Sequence, residues 1–252
     1  MSSVFDRYGI KEVADVYLYQ INPDGTKGAA VLKLDTLKVS TIEVTADNVA
    51  AQGGKGNARL IEWDFNKEIT LTMEDALFSP KSQAIMLGDG RVRTDAVNIS
   101  KTLQFIAESA GAAGVPTTWT DVGGGVHDIV DGIIVDEFEN PVTEAEIVQG
   151  QTYLITFEFA AVNPSTIEIS ANSFPGTYWI EGDTYARNEI TGRDEMYQFI
   201  IPRAKMQAEN TITMEAEGDP SIFNLNFSVL RPRDGVMIRL TKYGLPEAVT
   251  TP

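Results

Sequence analysis

Thr41-Ile42-Glu43-Val44-Thr45, Leu60-Ile61-Glu62-Trp63-Asp64-Phe65 and Glu68-Ile69-Thr70-Leu71-Thr72-Met73 form three alternating segments in one stretch of chain. Alternation of apolar and polar side chains is the pattern of a half-buried strand. In the second segment Ile61, Trp63 and Phe65 share a face, and Glu62, Asp64 and Asn66 share the other. In the third, Ile69, Leu71 and Met73 lie together. Asn66-Lys67 reads as the turn between them. Between the first and second segments runs Ala46 to Asn57, small, flexible and unable to form a core, with Asp47, Asn48, Gln52, Gly53, Gly54, Lys55, Gly56 and Asn57. It reads as a loop longer than a hairpin requires. A long loop carried on a rigid sheet is placed to touch something, and the expected neighbour is another copy of the same chain.

The signals on either side of this stretch are those of a β protein. Val13 to Ile21 and Ala30 to Val39 read as strands, separated by the turn residues Asn22-Pro23-Asp24-Gly25. Residues 1–12 read as an arm with one helical turn. Ser79 followed by Pro80 is a helix start, Lys81 to Leu87 the helix, and Gly88 its end. Further strands are expected at 98–108, 128–138 and 151–161. The last third carries a hairpin, 177–189 and 195–206 around Ile190-Thr191-Gly192-Arg193-Asp194. Beyond it lie alternating runs at 211–216, 223–229 and 236–243. Many short strands with one helix predict a mainly β, antiparallel sandwich or barrel. The expected organisation is 1–88 as the first half of the sandwich, 89–160 as an acidic β insertion or peripheral subdomain, and 161–252 as the second half.

Composition narrows the function. The 252 residues include no cysteine and a single histidine, His127, which excludes disulfides, thiolate metal sites and multi-histidine metal centres. No apolar run reaches bilayer length and the N-terminus lacks a signal-peptide pattern, so a soluble protein made in a cytosol is expected. The net charge is -16, and between Lys101 and Arg187 there is no lysine or arginine at all. Residues 102–186 alone carry thirteen carboxylates. Such a block repels phosphate and cannot grip nucleic acid. It is either a solvated, solubilising face or a surface past which DNA slides without sticking.

No catalytic pattern emerges. Gly53-Gly54-Lys55-Gly56-Asn57 has the wrong spacing for a phosphate-binding loop and runs into a strand rather than a helix. Asp128, Asp131, Asp136, Glu137 and Glu139 are dense enough for a weak calcium site but lack the EF-hand spacing, and a solvated surface is the simpler reading. His127 has no serine in a nucleophile-elbow context. No carboxylate pair is singled out for glycoside hydrolysis. No enzyme activity and no cofactor are expected. Trp63, Trp119 and Trp179 read most simply as core; Trp119, after Pro116-Thr117-Thr118, is also a candidate interface anchor.

Two stretches resemble a known family. One runs from Ile42-Glu43-Val44-Thr45 through Gly53-Gly54-Lys55-Gly56-Asn57, Trp63-Asp64 and Lys67-Glu68-Ile69-Thr70 to Glu74-Asp75-Ala76-Leu77-Phe78-Ser79-Pro80. The other comprises Phe174-Pro175-Gly176-Thr177-Tyr178, Tyr197 to Lys205, Glu217-Gly218-Asp219-Pro220 and Val229-Leu230-Arg231-Pro232. Together they resemble the tail tube (major tail) proteins of large tailed bacteriophages, and the likeness is weakest across the acidic middle. The resemblance implies a β-sandwich with one flanking helix that forms hexameric rings, whose inner sheets join into a continuous barrel. It implies that rings stack through an extended segment between two early strands, here Asp47 to Asn57. It also implies a virion tail location after assembly in the host cytoplasm, a tape measure protein and a sheath as partners, and genomic DNA passing through unbound. No membrane partner is implied. The competing class is a baseplate, receptor-binding or head-decoration protein of the virion, using Trp119 and nearby loops to hold a sugar or a partner.

Overall fold

The computed structural model describes residues 6–88, 90–111, 114–209 and 222–244; the alternating run expected at 211–216 lies outside them. The chain divides into two compact units, Met1–Val92 with Ile167–Pro252, and Arg93–Thr166.

In the first unit the strands are β1 (Tyr8–Ile10), β2 (Asp15–Ile21), β3 (Lys27–Leu34), β4 (Leu37–Gly53) and β5 (Ala58–Asp75), followed by helix α1 (Pro80–Leu87). The second unit contributes β6 (Asn98–Ile106), β7 (Thr118–Thr120), β8 (Val126–Asp128), β9 (Ile133–Val135) and β10 (Thr152–Ala160). The first unit then resumes with β11 (Thr177–Asn188), β12 (Asp194–Met206), β13 (Phe223–Val229) and β14 (Arg239–Tyr243). The protein is mainly β, antiparallel, with a single α-helix among the described residues, as the patterning predicts.

Nine strands of the first unit form one antiparallel sheet in the order β3-β2-β11-β12-β13-β5-β4, with β1 beside the far end of β11 and β14 beside that of β12. The order has a consequence for shape within this unit. β3 and β4 are the two ends of the series, yet only Asp35 and Thr36 separate them in the chain. Two residues span at most about 7 Å beyond their neighbours, so the sheet curls until its ends meet at that corner. Asp75, at the end of β5, pins the corner: it is buried, and its carboxylate accepts hydrogen bonds from Thr36 Oγ1 (2.5 Å) and Leu77 N (3.3 Å).

Curling places one face of β2, β11, β12, β13 and the end of β5 inside. Val16 and Leu18, Ile180, Ile201, Leu225 and Phe227, and Leu71 and Met73 are fully buried in one cluster, with Ile85 and Met86 of α1 packed into it. The helix begins as expected: the Ser79 side chain accepts from Ser82 N (3.0 Å), and Ser82 Oγ in turn accepts from Ser79 N (2.8 Å). Gly182 of β11 faces Phe199 of β12 directly, and a methyl group at that position would lie 2.2 Å from the ring. The phenylalanine therefore fills the space that a side chain at 182 would occupy.

Three local expectations are corrected. Residues 8–10 are a strand and not a helical turn: Tyr8 to Ile10 pair with Asn188 to Ala186. The expected strand 30–39 is broken at Asp35-Thr36, where the chain crosses from one end of the sheet to the other. Asn66-Lys67 makes no turn either, because β5 continues through it.

The second unit holds a three-stranded antiparallel sheet, β6-β10-β9, and the hairpin β7–β8. Ala107, Ile134, Ile147, Tyr153 and Ile155 form its core. Its chain ends are zipped together: Arg93 N donates to Thr166 O and Thr166 N to Arg93 O, both at 2.9 Å. Eleven carboxylates against Arg93 and Lys101 give it a net charge of -9.

Candidate functional site

The stretch that opens the reading of the sequence folds into an arm. β13 pairs with β5 only from Thr70 to Asp75. Below Thr70, the sole partner of β5 among the described strands is β4, and the two continue together to the turn Gly54-Lys55-Gly56-Asn57. Gly54, Gly56 and Asn57 all have positive φ, which is why small or amide residues occupy the turn. Asn57 N donates to Gly54 O (3.2 Å), and Asn57 Nδ2 to Gln52 Oε1 (3.0 Å).

This corrects the loop reading of 46–57. Asp47 to Gly53 belong to β4, and only Gly54 to Asn57 form the turn. Ala, Asn, Asp and Gln have low strand preference, but β5 supplies a continuous partner and the pairing overrides that preference. The arm has an irregularity at its root. Thr45 faces Glu68 and Asp47 faces Phe65, so two residues of β5 oppose one of β4. Asn66 takes φ +49° there, and its Nδ2 donates to Asp47 Oδ2 (3.1 Å). This is a β-bulge, and it exchanges the two faces of β5.

The exchange decides what the arm displays. At the root, Ile69, Leu71 and Met73 point into the core with Ile42 opposite Leu71. Past the bulge, Phe65, Trp63 and Ile61 lie opposite Asp47, Val49 and Ala51, on the side of β4 that carries Thr41, Glu43 and Thr45. Asn48, Ala50, Glu62 and Asp64 occupy the reverse face. One face is thus mostly apolar, and nothing among the described residues covers it. Ile61 is 56% exposed, Trp63 52% and Phe65 47%; Val49 and, beside a second irregularity, Leu60 are exposed as well. Trp63, expected in the core, is at the surface. A two-stranded ribbon is marginal in water by itself, and an uncovered aromatic row is the usual mark of an interaction surface.

Asp47, Asn48, Gln52, Gly53, Gly54, Lys55, Gly56 and Asn57 are therefore gathered on one element, and Trp119 is not with them. Trp119 sits on β7 of the other unit, stacked on His127 (5.0 Å between ring centres) and packed on Phe159 (5.1 Å) and Phe157 (5.9 Å). Its ring is engaged within its own unit. His127 Nε2 lies 2.9 Å from Asp121 Oδ2. That hydrogen bond, followed by one from Gly125 N, holds the Asp121 carboxyl below the usual carboxylate range. The acids at 128, 131, 136, 137 and 139 do not converge: among the described residues no three His, Cys, Asp or Glu side chains could hold a metal ion. Asp136 instead accepts from Phe138 N and Asn140 N, closing its own turn. The residues missed from sequence are Ile61, Trp63 and Phe65, whose alternation gave the strand but not which face stays bare.

Fold and arm together define a mainly antiparallel β protein whose sheet extends a ribbon with an uncovered apolar face. The chain belongs to the YomU/Tube protein family, whose model matches residues 8–240, across both units. No curated protein matches the chain. Family membership supports a tube-like structural protein of the phage virion.

Proposed function

We propose that the chain is a non-enzymatic tail tube subunit that forms hexameric rings, stacked into a conduit for genomic DNA. The observation that carries this reading is the apolar face of the arm, which a monomer leaves in water and an assembly would bury. Two further features support it. β3 and β4 end the strand order and each has an edge without a partner among the described strands, and edges of that kind persist in soluble proteins when they are covered or used. The net charge of -16 suits a wall that DNA must not grip. In this reading Asp47 to Asn57 contact the neighbouring ring, the sheet edges join subunits within a ring, and a tape measure protein and a sheath are the further partners.

Electron microscopy of the purified protein, with its mass in solution, tests the proposal. Rings or tubes with six subunits per layer are expected. A monomer at every concentration and salt condition would end it. Deleting Gly53–Gly56 is expected to block stacking while leaving the fold intact, because the turn contributes nothing to the core.

A further inference from the structure

Resting on that reading, we infer that the arm of one copy docks into a particular groove of the next. The groove lies in the first unit, with a volume of about 340 Å³, between the segment at residues 10–14, the start of β4 and the ends of β12 and β14. Its apolar lining includes Ile10, Val13, Val39 and Leu240, every one of them exposed. Lys11 and Lys38 also line it, against one acid, Glu12, and neither lysine makes an ion pair among the described residues.

Arm and groove are complementary in two independent ways. Ile61, Trp63 and Phe65 offer an uncovered apolar row to an uncovered apolar trough. Asp47, exposed opposite Phe65 on that same face, brings a carboxylate to a rim carrying two lysines, the arrangement that steers and registers an interface. The pairing cannot be made within one chain. Ser40 and Ile42 are themselves part of the groove, and Ala51 lies nine residues beyond Ile42 along the same strand, roughly 30 Å away at ~3.3 Å per residue. The occupant is a second copy. Because the donating and receiving surfaces differ, the contact is head-to-tail, and a head-to-tail contact propagates rather than stopping at a dimer.

The chain has no cysteine, so introduced ones report without background. Ala51→Cys marks the apolar face of the arm, Val39→Cys the groove, and both changes are small. With a short bis-maleimide, the double variant is expected to give a ladder of covalent multimers on a denaturing gel. An equal mixture of the two single variants should give dimers only, and each single variant alone none. Dimers from Ala51→Cys alone would show arm-to-arm contact and overturn the inference. So would absence of the ladder in a sample whose tubes are visible by microscopy, a result that leaves the tube reading standing. A monomer throughout would overturn both. As a second readout, the pair Lys11→Glu and Lys38→Glu is expected to raise the concentration needed for assembly roughly tenfold or more. Adding Asp47→Lys should recover part of the loss; no recovery of assembly in a variant that melts normally would count against the groove.

Discussion

Replacing Trp63 with alanine separates the stability of the subunit from the stability of the assembly. A large aromatic side chain presents roughly 150–250 Å², and Trp63 is 52% exposed, so about 80–130 Å² remains for a partner to cover. At ~25 cal/mol per Å² that area is worth about 2–3 kcal/mol at each contact. With tenfold for every ~1.4 kcal/mol, the threshold concentration for polymerisation should rise about 30- to 150-fold. Within the monomer Trp63 lies on the half-exposed part of β5 that pairs with β4 and not with β13, so the unfolding free energy should change by no more than ~0.5 kcal/mol, as for an ordinary surface substitution. Pelleting assays across a concentration series give the threshold, and urea unfolding at a concentration below it gives the stability. Trp63→Phe should fall between wild type and Trp63→Ala in the first assay. An unchanged threshold would refute the reasoning, as would a loss of several kcal/mol in the urea experiment, which would place Trp63 in the core after all.

Other substitutions probe the sheet and the second unit. Gly182→Ala forces a methyl group against the Phe199 ring and should cost about 1–3 kcal/mol in unfolding free energy; the double change with Phe199→Leu should recover part of it. Ser79→Ala removes the side-chain acceptor for Ser82 N and is expected to lower stability by ~1 kcal/mol, seen as a lower urea midpoint with unchanged slope. The Asp121 carboxyl is held below its usual range by His127 and then by Gly125. A group depressed in the folded state contributes stability above its ordinary pKa and loses it as pH falls through the lowered one. His127→Leu should therefore move the Asp121 carboxylate midpoint upward in a carbon-detected NMR titration, and an unmoved midpoint would contradict the assignment.

The strands of the curled sheet were legible because each carries its own evidence. Leu71 and Met73, or Leu225 and Phe227, alternate with polar residues wherever they are read. The helix was legible for the same reason, since Ser79, Pro80 and Gly88 act within a few residues. The arm was not. Asp47 to Gly53 have no strand preference of their own and are ordered by pairing with Ala58 to Phe65, which a local reading cannot see. Asn66 sends one signal, tolerance of a left-handed backbone, for two outcomes; a turn and a bulge both use it. The partner strand decides between them, and that decision also sets which way Trp63 points. Tyr8 to Ile10 are too few to show a period and become a strand only because β11 extends past β2.

The zipped pair Arg93 and Thr166 closes the two chain ends of the acidic unit into a stem. The ladder continues from there through Ala161 N to Val97 O (2.9 Å) into the pairing of β6 with β10. The unit's chain ends are adjacent segments whose separation is fixed by main-chain hydrogen bonds. The stem is thus a natural graft point. A foreign domain whose own termini lie side by side could replace residues 94–165 without altering the order of the nine-stranded sheet; in the proposed tube, that replacement would give a regularly spaced display scaffold.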